Sequence, residues 1–335
     1  MNLPASFKAL LIEEFEGKLR HGLIDFPAAR LDAGEVVIRV AYSSVNYKDA
    51  LAATGAGKII RRFPCIGGID LSGVVESSAD PRFKPGDRVI ATSFDIGVAH
   101  HGGYAEFARV PAGWVVPLPK DMSLRDAMAL GTAGFTAALG IVRMEENGLA
   151  PANGPVIVTG ATGGVGSLAI NMLAQKGYKV TALTGKESES AYLRGLGASD
   201  IILRSSLDLA KIRPLDKSVW AGAVDNLGGD YLAWILANMQ QGGAVASIGL
   251  AASMKLNTTV APFILRGACL LGIDSGYIGF PKRQQVWDRL ASDLLPNKLA
   301  GMIREVALAD VPAVFQEFLG AQVKGRTVVR VGGEI

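Results

Sequence analysis

One short stretch limits the possible folds of this chain more than any other. A strongly apolar strand, Val156–Thr159, runs directly into a turn that contains Gly163, Gly164 and Gly166, and an apolar helix follows. Such glycines let a backbone approach a pyrophosphate closely, and the helix N-terminus supplies free N–H groups and a positive dipole end. Ala161 stands where the first glycine of the G-x-G-x-x-G pattern is usual. The alternative is a tight turn between strand and helix that has only a structural role. We interpret the stretch as a dinucleotide-binding loop.

The elements around this loop alternate between strand and helix. This order is typical of a parallel, doubly wound α/β sheet. The predicted strands are Val156–Thr159, Tyr178–Leu183, Ile201–Leu203, Ala221–Asn226 and Ala244–Ile248, and the predicted helices are Val165–Lys176, a helix ending near Leu196, and Tyr231–Met239.

The first third of the chain has short β-like runs and turns, which predict an antiparallel, barrel-like region. The runs are Lys8–Glu13, Glu35–Val40, Gly73–Glu76 and Arg88–Ala91. A capping-box pattern of Ser123 with Asp126 predicts the start of a helix and of a new domain. The C-terminal segment is expected to rejoin the barrel. We therefore predict one domain over 1–122 and 298–335, and a dinucleotide-binding domain over 123–297.

Composition and charge exclude several other classes of protein. The chain has 34 basic and 31 acidic residues, and they are spread along its length. This distribution does not suggest a charged surface that binds nucleic acid or a membrane. No apolar run approaches the roughly 18 residues of a membrane span, and the N-terminus lacks the pattern of a secretory leader. Cys65 and Cys269 are too few for a disulfide framework. We expect a cytoplasmic protein whose partner is a small molecule.

The end of the second strand of the α/β region indicates which dinucleotide is bound. An NAD enzyme usually places an acid there, on the ribose 2′-hydroxyl, but here the residues are Thr184, Gly185 and Lys186. A hydroxyl and an ammonium suit a 2′-phosphate, and Arg204 at the end of the next strand adds a guanidinium. The alternative is that these cations are solvated strand-end charges. We predict NADPH rather than NADH.

Several motifs now point to a known family. They are Ser44–Leu51 (SVNYKDAL), Gly57–Arg61, Gly68–Gly73 (GIDLSG), Gly131–Ala137 (GTAGFTA), Val219–Gly222 (VWAG) and Pro262–Arg266 (PFILR). With these motifs the whole chain resembles the medium-chain dehydrogenase/reductase superfamily, in its acrylyl-CoA reductase branch. The resemblance implies a GroES-like β-barrel joined to a Rossmann domain. It also implies NADPH-dependent reduction of acrylyl-CoA to propionyl-CoA, with hydride delivered to the β-carbon, in a protein that is usually a homodimer.

The resemblance also predicts that the enzyme works without zinc. Zinc alcohol dehydrogenases of the superfamily carry an early Cys ligand and a Gly-His-Glu segment, whereas this chain has Asp49 in the first region and Gly68–Asp70 (GID) in the second. The neighbouring His100 and His101 are expected to be loop histidines rather than ligands, because adjacent side chains seldom converge on one ion.

The same resemblance supplies the candidate site residues. Asn46 and Tyr47 are the candidate catalytic residues; both would lie in the barrel loop that faces the cofactor, with Tyr47 contacting the nicotinamide or donating the proton. The alternatives are that Asn46 caps a turn, that Tyr47 only packs, and that solvent gives the proton. The other expected dinucleotide contacts are Thr132, Thr162, Gly163, Gly164, Val165, Gly249, Leu250, Ile273, Ser275 and Arg326.

A basic cluster of Lys58, Arg61 and Arg62 suits the phosphates of CoA, although a solvated charged loop would look the same. Two other functions stay open at this point. One is an NADPH-dependent quinone or enone reductase that uses the same hydride geometry. The other is a protein that binds NADPH without turnover.

Overall fold

The computed structural model describes residues 3–333, which form sixteen strands and eight α-helices. The strands are β1 (Ser6–Phe15), β2 (Lys18–Pro27), β3 (Val36–Val45), β4 (Cys65–Ile66), β5 (Asp70–Ser78), β6 (Arg88–Thr92), β7 (Phe107–Val110), β8 (Val115–Pro117), β9 (Val156–Thr159), β10 (Val180–Thr184), β11 (Asp200–Leu203), β12 (Trp220–Asp225), β13 (Met239–Ser247), β14 (Cys269–Gly272), β15 (Ile303–Ala307) and β16 (Arg326–Arg330). The helices are α1 (Tyr47–Thr54), α2 (Leu124–Glu146), α3 (Gly164–Gln175), α4 (Ser190–Gly195), α5 (Gly229–Ala237), α6 (Ala261–Arg266), α7 (Phe280–Leu290) and α8 (Val311–Leu319).

The chain folds as two compact units. The first unit runs to Thr132 and takes in Gly276–Gln285 and the described chain from Ile303; the second comprises Ala133–Ser275 and Val286–Met302. These limits differ from the predicted domains 1–122 with 298–335 and 123–297. The start of α2 belongs to the first unit because its backbone is held there: Ser72 Oγ donates to the Leu124 carbonyl at 2.7 Å.

A break inside α2 explains why the division falls later than the predicted start of the helix. Ser123 does cap the helix, since its Oγ accepts the N–H of Asp126 at 2.9 Å. Gly131, however, has φ +51° and ψ −155°, which interrupts the helix seven residues after its start at Leu124. By length and composition α2 could cross a membrane, but 89% of its apolar window is buried inside the protein, as in a core helix.

The first unit contains a mixed barrel-like sheet with the strand order β15-β16-β3-β5-β6-β8, in which β7 also pairs with β3. A second sheet has the order β2-β1-β4. The pairing of β16 with β3 is antiparallel, so the C-terminal segment rejoins the barrel as the sequence predicts. Alternating apolar side chains of these strands, among them Ile38, Leu71 and Val89, fill the barrel core.

The second unit contains a six-stranded parallel sheet with the order β11-β10-β9-β12-β13-β14. This confirms the predicted doubly wound α/β architecture. The strand order reverses between β9 and β12, and in such sheets ligands bind outside the carboxyl ends of the strands at this switch point. The glycine-rich turn follows β9 and therefore lies at that position.

Candidate cofactor and active site

The glycine-rich turn has the close backbone packing that a dinucleotide loop requires. Helix α3 begins at Gly164, directly after the turn, so its first N–H groups have no partner within the helix. A Cβ on Gly166 would lie 2.4 Å from the carbonyl oxygen of Gly160, so only glycine lets the helix approach the turn this closely. Thr162, Gly163, Gly164 and Val165 thus stand where the sequence predicts, at a helix N-terminus that favours an anion.

A buried carboxylate fixes the neighbouring strand ends, and the sequence analysis did not identify it. Asp225 at the end of β12 is fully buried, and its Oδ1 accepts the hydroxyl proton of Thr159 at 2.7 Å. Its Oδ2 accepts the N–H of Gly228 at 2.8 Å. Burial raises the pKa of Asp225. An acid that closes an otherwise apolar strand was the available signal, and it ties β9 and β12 together at the switch point.

The residues predicted to choose between NADPH and NADH lie together at the adjacent edge. Thr184 Oγ1 accepts the backbone N–H of Lys186 at 3.0 Å and so shapes the turn around Gly185. Arg204 follows β11 and packs against that turn, with its Cδ 3.4 Å from the position of a Cβ on Gly185. Its Nε donates to the hydroxyl of Tyr231 at 2.9 Å, and its guanidinium lies 4.8 Å from the centre of that ring. Two cations therefore flank one short turn.

The remaining predicted contacts of the second unit follow the next strands of the sheet. Gly249 and Leu250 come after β13, and a Cβ on Gly249 would meet the carbonyl oxygen of Asn226 at 2.5 Å. Ile273 follows β14 and donates its N–H to the Ser247 carbonyl at 3.1 Å. The Ser275 hydroxyl accepts a hydrogen bond from Thr136 at 2.7 Å. These positions extend the same carboxyl edge of the sheet.

The first unit holds a second polar cluster, centred on the fully buried carboxylate of Asp70. Its Oδ2 accepts hydrogen bonds from Ser44 Oγ at 2.6 Å and Asn46 Nδ2 at 2.8 Å. The backbone N–H of Thr132 donates to the same oxygen at 2.9 Å, and the Thr132 hydroxyl donates to Oδ1 at 2.5 Å. The predicted residues Asn46 and Thr132 are therefore brought together, on a carboxylate that was not among the candidates.

Arg326 completes this cluster and is buried within it. Its Nε donates to the Ala129 carbonyl at 2.9 Å, one Nη donates to Ser44 Oγ at 2.8 Å, and the other to Asn46 Oδ1 at 3.2 Å. Burial lowers the pKa of Arg326, and the negative charge of Asp70 opposes this effect. Gly131 permits the arrangement, because a Cβ there would lie 2.6 Å from Asp70 Oδ2.

Asp49 is the second buried carboxylate of the first unit. Its oxygens accept the backbone N–H groups of Asn46 at 2.8 Å and Ile69 at 3.0 Å. Burial, reinforced by the charge of Asp70, raises the pKa of Asp49 to about 7. The oxygens of both carboxylates are thus occupied by protein donors, which does not fit a zinc site. Within residues 3–333, no group of three or more His, Cys, Asp or Glu side chains is placed to hold a metal ion.

Tyr47 is the first residue of α1, and 48% of its surface is exposed. It directly follows Asn46, which is buried and uses both ends of its amide, one on Asp70 and the other on Arg326. The tyrosine is thus half-exposed directly beside a residue whose amide is held at both ends. Of the two candidate catalytic residues, Tyr47 is half-exposed and Asn46 is buried.

The basic cluster that was assigned to CoA is partly neutralised within the first unit. Arg61 forms an ion pair with Asp95 and lies 3.2 Å from the hydroxyl of Tyr277. Arg62 pairs with Asp32 at 2.5 Å, and Lys58 is exposed. Two of the three cations therefore carry compensating carboxylates.

The two adjacent histidines are buried and bonded to the backbone. His101 Nδ1 accepts the N–H of Ile66 at 3.1 Å, and His100 Nε2 lies 2.7 Å from the Arg109 carbonyl. Burial lowers the pKa of His101 to about 4, although the charge of Asp32 acts in the opposite direction. His101 is therefore neutral at ordinary pH and takes part in packing.

Comparison with known proteins places this geometry in a family. Residues 32–120 match the model of the alcohol dehydrogenase GroES-like domain, and residues 164–292 match that of the zinc-binding dehydrogenase. The acrylyl-CoA reductase AcuI of Ruegeria pomeroyi is 46% identical over 97% of this chain and 99% of its own length. The chain belongs to the medium-chain dehydrogenase/reductase superfamily. The predicted GroES-like and Rossmann domains are confirmed by these matches, and so is the predicted resemblance to the AcuI branch.

Other members of the superfamily cover nearly the same span. The putative quinone oxidoreductase YhfP of Bacillus subtilis is 50% identical over 88% of this chain and 90% of its own. The Salmonella enterica YhdH oxidoreductase, solved with NADP, has a TM-score of 0.94 at 47% identity, covering 96% of this chain and 99% of the other. The structure of B. subtilis YhfP, solved with NAD, has a TM-score of 0.95 at 46% identity, and the match covers 98% of this chain and 100% of the other. The predicted oxidoreductase class is confirmed.

Proposed function

We propose that the protein reduces the C=C bond of acrylyl-CoA to give propionyl-CoA, with NADPH as the hydride donor. The observation that carries this proposal is the near-full-length similarity to AcuI, at 46% identity. The site in the second unit supports it, because glycine-rich packing and a helix N-terminus suit a pyrophosphate. NADPH, when bound, supplies hydride from its nicotinamide C4.

We assign the 2′-phosphate of NADPH to the turn between Thr184 and Lys186, with Arg204 beside it. The side chains of Lys186 and Arg204 are cationic, and a fixed guanidinium suits the oxygens of a phosphate. The stacking of Arg204 on Tyr231 limits the rotation of the arginine, so less conformational entropy is lost on binding. An NAD-preferring site would instead place a carboxylate here.

In the proposed reaction, the protein holds the thioester, stabilises the enolate oxygen that develops after hydride reaches the β-carbon, and allows the α-carbon to receive a proton. We assign Tyr47 as the residue that contacts the reacting groups, as hydrogen-bond donor or proton donor. Asn46 acts through Tyr47 as a positioning residue, because its amide is fixed on Asp70 and Arg326. No step is assigned to a metal, since the donor set does not fit one.

We propose that Lys58 and Arg61, with Arg62, bind the phosphates of CoA. Because Arg61 and Arg62 are paired with Asp95 and Asp32, Lys58 contributes most of the uncompensated charge. Lys58→Ala is therefore expected to lower kcat/KM for acrylyl-CoA more than Arg61→Ala does. Neither variant is expected to change the rate with an enone that lacks CoA, and an equal loss on both substrates would refute the assignment.

A cytoplasmic homodimer is part of the same proposal. Strand β14 is an edge of the parallel sheet within the described chain, and exposed apolar side chains accompany the segment before it, including Met254 at 80% and Ile264 at 72% exposure. A second copy of the chain would cover both features. Light scattering after size-exclusion chromatography should give twice the 35.1 kDa chain mass; a mass of one chain would refute the dimer.

A second function, the reduction of quinones or enones, is favoured by the 50% identity to YhfP. The two functions separate on the ratio of kcat/KM for acrylyl-CoA and for a simple quinone, both measured from the loss of NADPH absorbance. A ratio far above one supports the acyl-CoA reductase. A ratio below one would keep the cofactor assignment and overturn the substrate. Tight binding of NADPH without turnover of either substrate would show a non-catalytic binding protein.

A further inference from the structure

Two hydrogen-bonded hydroxyl groups of the second unit connect to the backbone of the glycine-rich turn. Ser167, in the first turns of α3, is fully buried, and its Oγ lies 3.2 Å from the carbonyl oxygen of Ala161. The hydroxyl of Tyr192, on α4, lies 3.0 Å from the same Oγ. The phenol therefore reaches the backbone of the turn through one serine.

The direction of these hydrogen bonds follows from their chemistry. A carbonyl oxygen only accepts, so the single hydroxyl proton of Ser167 goes to Ala161. Ser167 Oγ must then accept from Tyr192, whose O–H is the donor. Burial raises the pKa of Tyr192, so the phenol keeps its proton at neutral pH. The arrangement is a polarised relay that ends on the backbone of the turn.

The relay joins two parts of the site that are separate in sequence. Ala161 belongs to the turn assigned to the pyrophosphate. Helix α4 follows the Thr184–Lys186 turn, assigned to the 2′-phosphate, after only one short 3₁₀ helix over Glu187–Glu189. The hydroxyl of Tyr192 thus adds a link between two turns that would each contact one end of the adenosine diphosphate part of a dinucleotide.

We propose that Tyr192 is a positioning residue for the dinucleotide, which acts through Ser167 to hold the Ala161 turn in its binding conformation. This inference rests on the proposed binding of NADPH but not on the acyl-CoA substrate. Without the phenol the turn samples more conformations in the free protein, and the entropy of ordering it is lost on binding. The effect acts on the pyrophosphate end, so NADPH and NADH are weakened equally.

The test measures dissociation constants for NADPH and NADH by fluorescence titration of the wild type, Tyr192→Phe and Ser167→Ala. We expect Tyr192→Phe to raise both constants about 3- to 10-fold, the effect of losing one neutral hydrogen bond. The KM for NADPH rises by the same factor while kcat is unchanged. In the double variant Tyr192→Phe/Ser167→Ala, the increases in the dissociation constants are not multiplicative, because both substitutions break the same pair of hydrogen bonds.

Tyr178→Phe is the matched control. It removes a tyrosine hydroxyl that donates to a backbone carbonyl of the same unit, that of Leu149 at 3.3 Å, and it should leave both dissociation constants unchanged. Wild-type constants in Tyr192→Phe and Ser167→Ala would overturn the inference while the proposed function stands. A larger loss for NADPH than for NADH would also overturn it, because the phenol would then act on the 2′-phosphate. A wild type that binds neither dinucleotide would overturn both proposals.

Discussion

Replacement of Gly166 by alanine tests whether the turn is built for close approach of α3. The new Cβ would lie 2.4 Å from the Gly160 carbonyl oxygen and 2.8 Å from Ala161 Cα, whereas ordinary contacts begin at 3.4 Å. The helix must therefore move by roughly 1 Å relative to the turn. Overpacking of this kind costs about 1–3 kcal/mol. At about 2–4 °C for each kcal/mol, the Tm of the cofactor-free protein should fall by roughly 2–12 °C.

Gly163→Ala is the matched comparison, three residues earlier, at the N-cap of α3. Its φ of −76° suits alanine, and its Cβ would lie 3.3 Å from the Gly160 oxygen, so the cofactor-free Tm should change little. The added methyl group lies where the backbone approaches the pyrophosphate, so the dissociation constant for NADPH should rise about tenfold or more. Differential scanning fluorimetry with and without NADPH measures both quantities. Equal Tm values for the two variants, or an unchanged Tm in Gly166→Ala, would refute the packing argument.

Three further predictions concern other parts of the site. The double variant Lys186→Ala/Arg204→Ala should raise the KM for NADPH at least tenfold more than the KM for NADH; equal factors would refute the 2′-phosphate assignment. Tyr47→Phe should lower kcat at least tenfold in steady-state assays with acrylyl-CoA and leave the NADPH dissociation constant unchanged, whereas an unchanged kcat would reduce Tyr47 to a packing role. The pKa of His101 is lowered, so the free energy of unfolding decreases as the pH falls below 6.5, the ordinary pKa of histidine. The pKa of Asp49 is raised, so the same free energy decreases as the pH rises toward 7. The two effects therefore oppose each other between about pH 4 and 6.5. In His101→Gln only the second effect remains, and urea titrations should show stability falling as pH rises, by up to about 1.4 kcal/mol per unit; the wild-type slope in the variant would contradict this.

The parallel sheet and its cofactor turn could be predicted because their signals are local. A strand, a glycine-rich turn and a helix follow one another along the chain, and the structure shows the steric reason for Gly166 in its close approach to the Gly160 carbonyl oxygen. The cations beside the second turn were also recognisable, since strand ends of a parallel sheet share one edge.

The polar cluster of the first unit could not be predicted in the same way. Asp70 joins Ser44, Thr132 and, through Ser44 and Asn46, Arg326, which is 282 positions from Ser44. No periodicity or spacing connects residues so far apart; only the pairing of β16 with β3 brings them together. For the same reason the sequence suggested an Arg326 that reaches toward the cofactor, whereas the structure buries its guanidinium among carbonyl and hydroxyl groups of its own unit.

The domain limits illustrate a second kind of difference. The capping box at Ser123 marks the start of α2, but the units divide nine residues later, at Thr132, next to the break at Gly131. A glycine within an Ala-rich helix is a weak signal for a boundary. Here the cause is tertiary, because Asp70 and Arg326 occupy the space that a side chain at Gly131 would need.

The proposed function depends on one chemical event, the passage of hydride from NADPH to the β-carbon of acrylyl-CoA. In the most direct measurement, the enzyme is given NADPH that carries deuterium at the nicotinamide C4 position from which hydride is transferred. The product is then analysed by mass spectrometry and NMR. We expect propionyl-CoA with one deuterium, located at the β-carbon, and the α-carbon proton taken from solvent or from an exchangeable group such as the Tyr47 hydroxyl. Deuterium at the α-carbon, or oxidation of NADPH without formation of propionyl-CoA, would contradict the proposed reaction.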